Sequence, residues 1–303
     1  MKEAIVAVKD FRKSYGKSVA VDRISFEVER GEIFGLLGPN GAGKTSTLEC
    51  LEGLRAPDGG SLRVAGMDPG RDARRLRSLV GVQLQSAGLP ESITPDEAMR
   101  LFSAYHGVAP RFDLLERLGL AEKRGSQFFK LSTGQQRRLA LALAIAHGPQ
   151  VLFLDEPTAG LDVASRAELH DMMRELQKGG TTMVLATHDM AEAEQMSDRV
   201  AILLGGKIAK IGTPMEITSA GVGLTKISVR TQDAGLDGAA FPAVSQRGSK
   251  DAYSIYFSSD IGKTLSAIIS HIDDKGDTLI DLRVERPSLE DRFLEITGPG
   301  GAR

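Results

Sequence analysis

The sequence predicts an α/β protein built on a mixed, largely parallel sheet, with a small α+β domain at its carboxyl end. Three observations carry this. A phosphate-loop pattern stands between an apolar run and helix-forming residues. Two later apolar runs end in polar residues able to do chemistry. Beyond residue 212 the composition shifts, and short strands and helices follow a Gly- and Thr-containing stretch over 212–223.

The phosphate-loop stretch is Gly38-Pro39-Asn40-Gly41-Ala42-Gly43-Lys44-Thr45, after Ile33, Phe34, Gly35, Leu36 and Leu37. It fills every fixed position of G-x-x-x-x-G-K-[ST] in a strand-then-helix context. Glycines at 38, 41 and 43 let the backbone curl so that successive N–H groups line a concave nest for phosphate oxygens. The helix starting near Gly43 adds the positive end of its dipole. Lys44 brings a full charge to the β/γ-phosphates, and the Thr45 hydroxyl can ligate Mg²⁺. The stretch implies nucleoside triphosphate binding.

Bulk properties bound the rest. With 303 residues, two domains are expected. A composition 41% hydrophobic and 26% charged is that of an ordinary globular protein, and a net charge of −2 supplies no basic field for nucleic acid or membranes. The apolar run at 139–146 is too short to span a bilayer, which needs about 20 residues. The amino terminus lacks an apolar signal-peptide core, so a cytosolic protein is expected. Cys50 is the one cysteine, which rules out an internal disulfide; in a helix over 47–54 it reads as a small buried hydrophobe.

In chain order, residues 3–9 and 24–29 read as strands, the second with clean alternation. Tyr15 lies between them on a loop, where an aromatic ring either packs or stacks on adenine. Turn chemistry at 56–60 leads to a strand over 61–64. The arginines between 71 and 77 read as a solvated helix face. An apolar strand over 79–85 ends in Gln85, and the pattern is helical over about 86–148. Thr94, Pro95 and Glu97 form a capping-box helix start, with Met99, Phe102 and Tyr105 on one side and an end near Gly107. A short helix is expected over 111–118, and Ser132 is an N-cap for the helix that follows.

The continuous apolar run at 151–154 ends in Asp155 and Glu156 and fits a central parallel strand. Ligands bind at the carboxyl ends of such strands. Asp155 is placed to hold Mg²⁺ directly or through water, and Glu156 to orient or deprotonate a water. After Asp162, Leu169, Met172, Met173 and Leu176 mark a core-facing helix. A buried strand over 181–186 then delivers His188 to the same sheet edge, and 200–211 reads as a hairpin across Gly205 and Gly206. Beyond the linker, strands are expected at 226–230, 253–257 and 278–283, with helices over 261–272 and from Ser288, and a flexible tail at 298–303.

Together these motifs resemble the ATP-binding subunit of ATP-binding-cassette (ABC) transporters over roughly residues 4–217. The discriminating piece is Leu131-Ser132-Thr133-Gly134-Gln135, about twenty residues before Asp155, followed by Asp162 and His188. The resemblance implies an ABC ATPase P-loop fold, with an antiparallel subdomain and a helical one, over residues 1–217 and an α+β domain over 224–297. It implies that Gly38, Pro39, Asn40, Gly41, Ala42, Gly43, Lys44, Thr45 and Ser46 bind the phosphates and that Tyr15 stacks on adenine. Gln85 is implied to touch Mg²⁺ or the attacking water and to sense a membrane subunit. Ser132, Gly134 and Gln135 match the signature loop that contacts the γ-phosphate held by the other protomer. Glu156 resembles the catalytic base, Asp162 the residue crossing the dimer interface, and His188 the switch on the γ-phosphate; Lys44 completes the catalytic set. Thr133 departs from the family's usual glycine and could crowd the loop.

The segment from Pro287 to Gly298 (PSLEDRFLEITG) resembles the end of the branch that pairs with separately encoded membrane subunits to export drugs, antibiotics or polysaccharides. The implied protein is an ATP hydrolase using ATP and Mg²⁺. It is expected to work as a head-to-tail homodimer, cytoplasmic and peripheral on the inner membrane face through transmembrane permease subunits, with no nucleic-acid partner. Leu89, Ile93 and Phe102 are expected near the permease contact. Two other readings compete. A soluble ABC-type ATPase with a regulatory or nucleic-acid role lacks a basic field, a coiled coil and a second cassette. A P-loop kinase or GTPase would leave residues 132–135 unexplained and lacks an Asn-Lys-x-Asp guanine reader.

Overall fold

The computed structural model describes residues 3–85, 88–219, 224–233, 235–236, 238–285 and 288–297. The chain forms two compact units, Met1–Thr213 and Pro214–Arg303. In the first, β1 (Ala4–Tyr15), β2 (Ser18–Glu29) and β3 (Ile33–Leu37) lead into α1 (Lys44–Leu51). Then come β4 (Gly59–Val64), the short α2 (Ala73–Leu76) and β5 (Val80–Gln83). Helices α3 (Pro95–His106), α4 (Phe112–Arg117) and α5 (Thr133–Ile145) follow. The unit closes with β6 (Val151–Asp155), α6 (Val163–Lys178), β7 (Thr182–Thr187), α7 (Met190–Met196), β8 (Arg199–Leu204) and β9 (Lys207–Gly212).

The main sheet has the order β5-β6-β7-β3-β8-β9, parallel except for β9, which returns antiparallel to β8. Its central strands are apolar throughout because both faces are covered. Phe34, Leu36, Phe153 and Val184 point into one core with α1 and the antiparallel sheet β2-β1-β4. Ile33, Leu152, Leu154 and Leu185 point into the other core, shared with α3, α4, α5 and α6.

Several expectations need correction. The strands expected at 3–9 and 24–29 are parts of a hairpin of two 12-residue strands, so Tyr15 ends β1 and does not sit on a loop. The interior of that hairpin hides its period because Asp10 and Arg23 adopt positive φ and the register shifts around them. Helix α1 ends at Leu51, short of residue 54, with Cys50 buried and its thiol pushed up to about 11 by desolvation. In α3 the capping box forms as expected: Thr94 N donates to Glu97 Oε2 at 2.9 Å and Glu97 N to Thr94 Oγ1 at 3.3 Å, with Gly107 as a left-handed cap. Met99 is buried, but Tyr105 is 66% exposed. At 3.6 residues per turn, positions six apart fall on different faces.

The second unit begins with α8 (Pro214–Ser219) inside the stretch expected to be a linker, so the first unit ends ahead of residue 217. Arg292 Nε and Nη2 each donate to the Thr218 carbonyl at 2.9 Å, tying α8 to the last helix. After it come β10 (Thr225–Thr231), β11 (Val244–Lys250), β12 (Tyr253–Ser258), α9 (Ile261–Lys275), β13 (Leu279–Glu285) and α10 (Leu289–Thr297). The strands form an antiparallel sheet, β11-β12-β10-β13, whose core gathers Ile227, Val229, Tyr256, Ile268 and Ile272. Ser288 and Asp291 close a capping box at 2.8 and 3.2 Å, as expected. Pro287, residues 220–223 of the linker and the tail at 298–303 lie outside the described residues.

One polar group in the first unit stands apart. Glu52, capping α1, is 7% exposed, and its Oε2 has no hydrogen-bond partner. Burial, then Asp155 and Glu49, push its carboxyl from 4.5 up to about 8. Between those values the folded protein carries more protons than the unfolded chain, so this group costs stability as pH rises through that window. Glu52→Gln is therefore expected to melt above the wild type by a margin that widens by a few degrees from pH 5 to pH 8.5; a constant margin in scanning calorimetry would contradict the assignment. Phe153→Ala, emptying the middle of β6 where no side-chain surface is exposed, is expected to cost about 3–5 kcal/mol in chemical denaturation.

Candidate nucleotide site

Residues 38–43 connect the carboxyl end of β3 to α1. Gly41 and Gly43 have φ of +81° and +106°, values open to glycine. Gly38 is needed for a different reason: a Cβ there would lie 2.4 Å from the Leu203 carbonyl oxygen. Gly43 is the N-cap of α1 and gives no side-chain cap, so the first N–H groups of α1 face the loop concavity. An anion is the natural partner for that arrangement.

Lys44 curls back over the loop. Its Nζ donates to the Gly38 carbonyl at 2.8 Å and to Pro39 at 3.3 Å, and lies 3.5 Å from Glu156 Oε1. Glu156 follows β6 in a left-handed conformation, φ +50°, with its N–H on the Ala186 carbonyl at 2.9 Å. Its other oxygen meets His188 Nδ1 at 2.7 Å. Lys44 and Glu156 are buried, whereas the His188 side chain is 54% exposed. The ends of β6 and β7 thus bring Glu156 and His188 together, and neighbouring β3 brings the phosphate loop.

Thr45 Oγ1 donates to Asp155 Oδ2 at 2.9 Å. Asp155 Oδ1 is buried without a partner, and burial lifts this carboxyl above its usual range. A hard cation supplies what that oxygen lacks, so hydroxyl and carboxylate fit Mg²⁺. A cavity of about 410 Å³ is lined by Tyr15, Asn40 to Ser46, Gln85 and Glu156. Tyr15 donates its hydroxyl to Ser46 Oγ at 3.3 Å and presents its ring 41% exposed, with Lys13 and Arg55 over it at 5.4 and 5.5 Å.

Ser132, Gly134, Gln135 and Asp162 do not line that cavity. Ser132 and Gln135 form a reciprocal capping box at the start of α5, Gln135 N to Ser132 Oγ at 3.2 Å and Ser132 N to Gln135 Oε1 at 3.0 Å. Asp162 caps α6 by accepting from Ser165 N and Oγ, both at 2.9 Å, bonds that hold its carboxyl below the ordinary range. Ser165 also touches Gly134: a Cβ on that glycine would come 3.0 Å from Ser165 Oγ. The starts of α5 and α6 therefore pack side by side, with Ser132 and Asp162 exposed. Thr133 is exposed at the first position of α5.

Sequence reasoning missed three features. Ala20 lines the cavity, and its carbonyl is what keeps Gly43 free of a Cβ, at 2.6 Å; a single alanine carries no pattern. The box between Ser132 and Gln135 was legible as S-x-x-Q. A buried cluster joins the loop after Glu156 to the helix after His188. In it Thr158 Oγ1 donates to Glu192 Oε1 at 2.7 Å, and His170 Nε2 meets the same oxygen at 3.2 Å. These three residues lie far apart in the chain, so only the fold assembles them.

Comparison with known proteins agrees with this geometry. A family model described as ABC transporter matches residues 21–159. The daunorubicin resistance ATP-binding protein DrrA3 of Streptomyces coeruleorubidus is 35% identical, over 98% of this chain and 97% of its own length. The linearmycin resistance ATP-binding protein LnrL of Bacillus subtilis is 30% identical over 97% and 98%. The Nod factor export ATP-binding protein I of Ralstonia nicotianae is 34% identical over 97% and 94%. Among solved structures, an ATP-binding subunit of an ABC transporter superposes with a TM-score of 0.67 at 27% identity, covering 71% of this chain and 92% of that one. Sharing 30% identity or more with these relatives over nearly their whole length, on a P-loop ATPase fold, the chain belongs to the ABC transporter family as an ATP-binding, ATP-hydrolysing subunit.

Proposed function

We propose that this chain powers an exporter by closing as a homodimer around ATP and opening after hydrolysis. The observation that carries the reading is the separation of parts. The phosphate loop and Glu156 line one cavity, with His188 bonded to Glu156, whereas Ser132, Gly134, Gln135 and Asp162 do not line it and sit instead at the starts of α5 and α6. A second copy, head to tail, would complete each site.

In this mechanism the Gly38–Ser46 loop cradles the phosphates, Tyr15 takes the adenine, and Lys44 turns from Glu156 to the γ-phosphate. Mg²⁺ held by Thr45 and Asp155, with Gln85 at the cavity wall, would offset charge on the β/γ oxygens. Glu156 then orients or deprotonates the attacking water, and His188, released from Glu156, holds the γ-phosphate. Asp162 and the signature loop meet the partner's nucleotide. Because ATP favours the closed state more than ADP does, turnover can drive a coupled protein.

No helix among the described residues is long and apolar enough to cross a membrane. The membrane-spanning path would belong to separately encoded permease subunits, placing this chain at the inner face of the cell membrane. A groove of about 340 Å³ beside Leu84, Phe102 and Tyr105 is the proposed permease contact. Leu89, Ile93 and Phe102 are all half-buried and packed against the helical core, and Leu89 and Phe102 together line a neighbouring cavity of about 240 Å³. Export is favoured by the relatives, three of which are resistance or Nod factor export proteins along nearly their whole length. The net charge of −2 gives no support to a nucleic-acid role.

Glu156→Gln is expected to slow hydrolysis by about 10²–10⁴ with ATP binding retained, and to accumulate an ATP-bound dimer in light scattering. Near-normal turnover, or a monomer at high protein concentration with ATP, would overturn the mechanism. Ser132→Asp keeps an N-cap acceptor but sets a negative charge against phosphate. Its turnover is expected to fall by about 10² or more, while nucleotide affinity of the isolated chain holds; full activity in this variant would exclude a composite site.

A further inference from the structure

Glu52 lies between two cavities. One, of about 220 Å³, also reaches Thr45, Gln85 and Asp155. The other is the proposed permease groove, about 340 Å³, walled by Leu54, Leu84, Phe102 and Tyr105. Three of these apolar side chains are well exposed: Leu54 56%, Leu84 44% and Tyr105 66%. Within that wall Glu52 is the one acidic group, more than nine-tenths buried, with Oε2 unpartnered.

The other polar groups of the groove do not answer it. Arg77 donates to the Tyr105 hydroxyl at 3.3 Å. His106 and His147 stack face to face at 3.8 Å, and His147 Nε2 is engaged with the Val80 carbonyl at 3.0 Å. Among the described residues no cation pairs with Glu52. A buried carboxyl without a partner is costly, and the isolated subunit carries that cost with nothing in its own fold to offset it.

We propose that Glu52 is the recognition group of the groove, accepting an arginine or lysine side chain from the permease segment that docks there. The inference rests on the docking reading and adds the chemistry of the contact. Exposed apolar walls around a lone buried acid match a segment with apolar contacts flanking one basic residue. Because Glu52 also borders the cavity of Thr45 and Asp155, a cation seated on it changes the field beside the proposed metal site. It is a positioning and specificity residue, not a catalytic one.

The test uses the full-length chain and the polytopic membrane protein that co-purifies with it from its native membranes, studied as a complex. Glu52→Gln, of matched shape, is expected to weaken the complex roughly 30-fold or more, with the variant's melting curve reporting that it folds. Glu52→Lys is expected to abolish assembly, and changing one basic residue of the permease's cytoplasmic segments to glutamate should restore it. If the wild type forms no complex, the docking reading fails and takes this inference with it. If wild type and Glu52→Gln bind equally, or no permease charge reversal rescues Glu52→Lys, the inference alone fails. A Glu52→Gln effect confined to the Mg²⁺ dependence of hydrolysis would likewise overturn it and assign the carboxyl to the metal site.

Discussion

The pairing of Lys44 with Glu156, buried at 3.5 Å, is the contact on which the site depends. Neither charge is tolerable alone at that depth. The lysine is further held by loop carbonyls and the glutamate by His188, so three strand ends are joined through a few polar atoms. The parallel sheet supplies the precision: β3, β6 and β7 are adjacent and in register, and their carboxyl ends meet at one edge. In the proposed mechanism an incoming γ-phosphate takes Lys44 from Glu156, which is then free to act on water.

The same edge is wired to the rest of the unit by groups that no motif contains. Thr158, Glu192 and His170 join the loop beyond Glu156 to the helix beyond His188, in a region with scarcely any solvent. On the other side Thr45 joins α1 to Asp155. The segment after His188 is thereby tied by hydrogen bonds to the loop ending at Asp162. The opposite end of α1 carries Glu52, so one short helix spans from phosphate nest to groove.

What was legible in the sequence was whatever local chemistry dictates. Central strands announced themselves as unbroken apolar runs because both faces are buried, and the phosphate loop, Asp155 and Glu156 followed from their position at strand ends. Capping boxes at Thr94 and Ser288 need only residues three apart. Edge strands were harder. β11 (VSQRGSK) is almost wholly exposed, so no alternation marks it. The helix over Pro214–Ser219 was obscured by its Gly-Thr-Pro entry and its six-residue length. Glu52 was invisible for a deeper reason: a glutamate near a helix end is normally solvated, and only packing of α1 against the sheet denies it water.

The left-handed backbone at Glu156 has a cost of its own. A non-glycine residue at φ +50° stores on the order of 1 kcal/mol or more, which asparagine or glycine would relieve. Replacing that side chain to relieve the strain would leave Lys44 buried without its carboxylate, a loss of about 3–5 kcal/mol that outweighs the gain. Evolved thermostable relatives that still hydrolyse nucleotide must draw their gains from elsewhere in the chain.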